Sequence, residues 1–160
     1  SSSSFESIDE MACSGGPGSP ELKGRGQSAH LNGVARIGEA IALALKEEVP
    51  QFEVDLDEVL AGGLCHDLGK AWEYDPKNRE RWEADHRVTG KPSLRHPLFG
   101  VHVALTAGLP EQIAHIAGTH SAEGEHITRS LVGEIINIAD GAFWRLLGGD
   151  RLLEAPAGDE

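Results

Sequence analysis

Residues 59–70 read Val-Leu-Ala-Gly-Gly-Leu-Cys-His-Asp-Leu-Gly-Lys, and this stretch decides the fold. Leu56, Val59, Leu60 and Leu64 recur at helical spacing behind Asp55 and Glu58, which have the arrangement of a capping box. A helix therefore starts near Asp55 and runs straight into His66 and Asp67. His66 lies seven residues after Val59, and Asp67 lies seven after Leu60 and three after Leu64, so an imidazole and a carboxylate terminate an apolar face. Polar groups so placed need partners, and the flanking sequence supplies them in both directions.

Upstream, Val34, Ile37, Ile41 and Leu45 mark an amphipathic helix over about 28–48, with His30 four before Val34 and seven before Ile37. Downstream, residues 71–94 are polar and contain Pro76, Gly90 and Pro92, which predicts a long connection with one helical turn near Arg79–Glu83. Pro97 and Pro110 sit where helices begin, predicting helices near 97–107 and 110–119, and a last helix over about 127–147 stops at Gly148-Gly149. His96 precedes Phe99 and Val103 by three and seven, and Ile113, Ile116 and Ala117 lead by helical steps to His120. Asp140 is four after Ile136 and three before Phe143, inside the apolar stripe of the last helix. No segment alternates with period two, so the fold class is all-α: a bundle of five or more helices.

Six polar residues thus fall on core-facing positions: His30, His66, Asp67, His96, His120 and Asp140. A buried carboxylate is normally paired, neutralised or bound to metal, and no Lys or Arg lies on the stripe of Asp140. Neutral imidazoles are not cations. A divalent transition metal satisfies both kinds of group, and Fe, Mn, Co and Ni suit these donors, as does Zn. The remaining histidines serve as controls. His115 falls off the Ile113 stripe and reads as solvated, His86 lies in the polar connection, His126 reads as exposed or capping, and His102 aligns with Leu98 and Leu105 as a core residue.

Composition bounds the rest. The chain has 160 residues, 39% hydrophobic and 25% charged, which is one globular domain. Its 26 acidic against 14 basic residues give a net charge of -12, which disfavours duplex nucleic acid and anionic membranes as partners. No apolar run approaches the roughly 18 residues of a membrane span. Two cysteines make no disulfide framework, and no export signal is legible, so a cytoplasmic location is expected. Residues 1–28 hold eight Ser, five Gly and two Pro and read as a flexible leader; 29–150 form the domain, and 151–160 a C-terminal tail. Gly63–Lys70 narrowly misses a phosphate-binding loop, because Leu64 replaces its first Gly and Ala71 its Ser or Thr.

His30, then His66-Asp67 within His-Asp-Leu-Gly-Lys, then Asp140 within Ile-Ala-Asp resemble the ordered pattern of the HD-domain superfamily over about residues 28–147. His96-Pro97-Leu98-Phe99-Gly100 and His120 resemble the extra histidines of its binuclear branch. The resemblance implies a helical bundle with a central metal site. His30, His66, Asp67 and Asp140 would hold one ion, with Asp67 bridging to a second held by His96 and His120. The cyclic-dinucleotide phosphodiesterase branch carries paired histidines and Gly-Tyr-Pro, whereas here Thr119 precedes His120 and no Gly-Tyr-Pro occurs. Short members that cleave dinucleoside polyphosphates or other nucleotide phosphates are closer in layout.

The resemblance implies a phosphohydrolase cleaving a phosphate ester or anhydride of a nucleotide or similar small molecule with a metal-bridging hydroxide. Asp67 and Lys70 would be catalytic, and Lys70, Lys91 and Arg95 would contact the phosphorylated substrate. Trp72 and Tyr74 suit either stacking on a base or packing over the end of the bundle. The same six-ligand pattern serves di-iron oxygenases such as myo-inositol oxygenase, acting on small polyol or phosphonate substrates, so that reading stays open. A non-catalytic metal-binding regulatory module is the third.

Overall fold

The computed structural model describes residues 3–14, 21–22, 25–147 and 153–154. Its α-helices are α1 (Gln27–Glu48), α2 (Leu56–Cys65), α3 (Lys70–Glu73), α4 (Pro76–Ala84), α5 (His86–Thr89), α6 (His96–Thr106), α7 (Glu111–Thr119) and α8 (Leu131–Leu147). Single 3-10 turns span Ile8–Glu10 and Ala122–His126, and one short antiparallel pair joins β1 (Glu21–Leu22) to β2 (Leu153–Glu154). The expected all-α bundle is what forms. α1 packs on α2 and α8, α2 also on α7 and α8, and α6 on α7. Val34, Val59, Ile116, Ile136, Ala139 and Phe143 make the centre of the core.

Small residues set how closely these helices approach. The most buried positions of α1 after His30 are Val34, Ala35, Gly38 and Ala42, while Leu45 is exposed, so the buried face is turned away from the line Ile37–Ile41–Leu45. α2 buries Val59, Gly62 and Gly63 and exposes Leu64. A Cβ on Gly63 would stand 2.4 Å from Ala35 Cα, so this glycine is needed for contact between the two helices that carry His30 and His66. Burial of His66 follows its expected spacing from Val59. Asp67 follows Gly63 by one helical turn rather than a leucine stripe.

Two segments differ from the sequence reading. The 71–94 connection holds α3, α4 and α5 rather than one turn. Asp75 caps α4 by accepting from the Lys77 and Asn78 backbone N–H groups, with Pro76 in its first turn. The leader expected over 1–28 is packed in part: Met11 and Cys13 are buried, and Cys13 joins the core. Gly26 at the start of α1 has no side chain to cap it, and Asp9 Oδ1 accepts from the Ser28 N–H at 2.9 Å in its place. Ser4 is bound to Asp75 through its backbone N–H and, at 2.7 Å, its hydroxyl. Of the expected tail, only Leu153 and Glu154 are described.

Gly63→Ala is expected to destabilise the protein by about 1–3 kcal/mol, as overpacking of a tight helix contact does. Gly141→Ala, on α8 with open space around an added Cβ, should be neutral or stabilise by up to about 1 kcal/mol. Urea denaturation of both variants checks this, and equal midpoints would contradict the close α1–α2 contact.

Candidate metal centre

The six expected residues come from five elements and meet at one place. His30 lies in the first turn of α1, and His66 caps the C-terminus of α2 with Asp67 next to it. His96 opens α6, His120 caps the end of α7, and Asp140 projects from the middle of α8. Three sets of donors are close enough to hold a cation: His30–His66–Asp67, Asp67–His96–His120 and His66–His120–Asp140, each with its donor atoms within 4.8 Å of one another. Asp67 belongs to the first two.

The hydrogen bonds behind the histidines aim their lone pairs inward. His66 Nδ1–H donates to Gly63 O at 2.7 Å, His120 Nδ1–H to Ala117 O at 2.9 Å, and His96 Nδ1–H to Glu73 Oε2 at 2.8 Å. A neutral imidazole protonated at Nδ1 has an unprotonated Nε2, and these three Nε2 atoms face the cluster. His96 and His120 Nε2 each stand 3.4 Å from Asp67 Oδ1, an oxygen that is buried and receives no hydrogen bond. His30 Nε2 faces His66 Nε2 at 3.1 Å, Asp67 Oδ2 at 3.1 Å and Asp140 Oδ1 at 3.4 Å; the Asp140 oxygen also lacks a hydrogen bond. The Nε2 lone pairs of His66, His96 and His120 and the two orphaned carboxylate oxygens are acceptors crowded together, an arrangement that a cation among them relieves.

The charge balance points the same way. Burial holds the His30 and His120 imidazoles below their ordinary pKa, which keeps them neutral. Burial opposes protonation of His66 as well, but the charges of Asp67 and Asp140 outweigh it and raise that imidazole. The direction of that shift reflects the excess of negative charge around His66. Burial disfavours the Asp67 carboxylate, yet His66 and Lys70 hold it well below the usual range. Lys70 Nζ reaches Asp67 Oδ2 at 2.7 Å, and Gln27 Nε2–H donates to the same oxygen at 3.1 Å. Nitrogen and oxygen donors around a buried, orphaned carboxylate oxygen fit a divalent transition metal.

Gly69 lets α3 start against α6. An added Cβ would lie 2.0 Å from His96 O and 2.8 Å from Gly100 N, so only glycine brings Lys70 and His96 this close together. Five of the six residues are nearly inaccessible, and Asp140 is the exception, its side chain 20% exposed. Four residues along α8 from Asp140, the Trp144 ring meets the His30 ring at a tilt with centroids 4.8 Å apart.

Lys91 and Arg95, expected to reach a phosphate, each meet acids in this structure. Lys91 pairs with Glu83 on the rim of a separate groove of about 600 Å³ lined by Tyr74, Trp82 and Pro92. Arg95 pairs with Glu73 and with Glu123. Trp72 stacks on Phe99 with ring centroids 4.3 Å apart and meets Trp82 edge-on, which is packing over the end of the bundle. His102 is exposed rather than core, because the buried line of α6 runs through His96, Gly100 and Ala104. His115 is half-buried rather than solvated, and its Nε2 accepts from the Ser130 N–H at 3.1 Å at the start of α8.

Sequence reasoning missed Gln27 and Glu73. Gln27 precedes His30 by three and so shares its face, a signal available in advance. Glu73 had no such signal, since its partner His96 is 23 residues away.

A family model described as HD domain matches residues 28–142. Comparison with curated proteins and with solved structures finds no match.

Asp67→Asn is expected to abolish metal retention on dialysis, read by elemental analysis, while far-ultraviolet circular dichroism stays helical. Full retention would remove Asp67 from the site. His115→Ala should cost about 1 kcal/mol of stability for the lost bond to Ser130 and leave metal content unchanged.

Proposed function

The chain belongs to the HD domain family, and on that premise we propose that it is a phosphohydrolase using two divalent metal ions to cleave a phosphate ester or anhydride of a nucleotide or similar small molecule. The observation that carries the reading is the sharing of Asp67 between two donor sets, one with His30 and His66 and one with His96 and His120. In this reading His30, His66 and Asp140 would hold one ion, His96 and His120 the other, and Asp67 would serve both. Mn, Fe, Co and Ni suit the donors, and Zn is compatible. Bound there, the ions supply an acidified water and neutralise the charge of phosphate oxygens.

The protein's own groups do the rest. Gly63 O, Ala117 O and Glu73 fix three imidazoles in the tautomer that leaves Nε2 unprotonated. Lys70 is buried beside Asp67, so its ammonium is already desolvated where a transferring phosphoryl group would gain charge, and electrostatic stabilisation there is strong. The near-complete burial of five of the six ligands favours a small substrate. The net charge of -12 supports the absence of duplex nucleic acid and anionic membrane among the partners. Among the described residues no helix is long and apolar enough to cross a membrane. We place the protein in the cytoplasm on its cysteine content, two residues being too few for a disulfide framework.

The test is phosphate release from a panel of nucleotides by protein loaded with Mn, Fe or Co, with and without oxygen. Turnover that is independent of oxygen supports hydrolysis. Strict dependence on both iron and oxygen replaces this reading with the di-iron oxygenase, and stoichiometric metal without turnover replaces it with a binding module. Lys70→Met is expected to keep its metal and lose about 10²–10³-fold in kcat. Unchanged kcat would show that Lys70 does not act on the phosphate.

A further inference from the structure

Glu73 is a buried carboxylate to which the reading above gives only a tautomer-fixing contact, and its surroundings give it more. Two donors from one residue converge on its Oε2: the His96 Nδ1–H at 2.8 Å and the His96 backbone N–H. Its Oε1 accepts from Arg95 Nη1–H. Arg95 then donates through Nε–H to Glu123 Oε1 at 2.9 Å, and the Ser121 hydroxyl donates to Glu123 Oε2. This chain of ions joins the end of α3, the residues that open α6 and the turn after α7. Those segments present Lys70, His96 and His120.

The donor sets differ in what stands behind them. His66 and His120 lean on neutral backbone carbonyls, whereas His96 leans on an ionised carboxylate that is itself held by a cation. A charged acceptor makes the stronger bond and raises the basicity of the opposite ring nitrogen more than a carbonyl does. It also fixes ring orientation, since Oε2 grips both the ring and the backbone of His96. The His30–His66 set has no such brace.

We propose that Glu73, held by Arg95 and Glu123, is the positioning residue of one half of the site, the Asp67–His96–His120 half, and sets the affinity of that half for its ion while leaving the His30–His66 half unaffected. The inference rests on the two-metal reading above.

Metal-free wild type, Glu73→Gln and Arg95→Gln can be titrated with Co(II) by calorimetry, with the visible cobalt spectrum followed in parallel. Wild type is expected to take up two ions. In Glu73→Gln the first ion should bind as in wild type and the second about 10–100-fold more weakly, the loss usual for removing a partner behind a ligating histidine. Arg95→Gln, which leaves the His96–Glu73 contacts in place, should weaken the second ion in the same direction by less, and it decides the matter if Glu73→Gln does not fold. Equal second-ion affinity in the folded variants overturns the role of Glu73 and leaves the hydrolase reading standing. Loss of both ions from folded Glu73→Gln overturns the selectivity for one half. A wild type that takes up one ion overturns the two-metal reading and this inference with it.

Discussion

The structure is organised around a shortage of positive charge. Asp67 and Asp140 bring two carboxylates among four imidazoles whose backing hydrogen bonds turn three of their Nε2 lone pairs toward the same small space. Lys70 is the cation nearest to hand, and it reaches only one oxygen of Asp67. Five of the eight described α-helices deliver these groups, so core packing and the site are coupled. A shift of one helix moves a ligand, and a ligand left without a counter-charge destabilises the core around it.

Much of this was legible in the sequence because polar residues on apolar faces are conspicuous. All six were placed by helical spacing alone, and the structure brings them together. The route was partly wrong, however. Leu64 and Leu45 are exposed, and the buried lines of α1, α2 and α6 run through Gly38, Ala42, Gly62, Gly63, Gly100 and Ala104. Hydropathy weights large side chains, whereas the closest helix contacts are made where the side chain is smallest. The periods were right, and the faces were turned by about one residue.

What was not legible depends on partners far apart along the chain. Nothing near Glu73 announces that His96 and Arg95 will converge on it, and nothing in Ser-rich residues 1–14 announces that Asp9 will stand in for a cap that Gly26 lacks. The acids that Lys91 and Arg95 meet are not legible either, since a basic residue in a polar loop carries no mark of its partner. By contrast, Asp75-Pro76 is a readable helix start inside a segment whose composition predicts a connection.

The cap that Asp9 gives to α1 has a thermodynamic consequence. His30 sits in the first turn of that helix, and the turn is closed by a group from a separate segment rather than from within. Helix ends open locally at far lower free energy than helix centres do. His30 lies within reach of that opening, and any ion it holds is linked to the order of a stretch more than twenty residues upstream. Amide exchange in that turn and ion occupancy should report on one equilibrium, so the slowest-exchanging state of the first turn and the loaded state of the site become the same species.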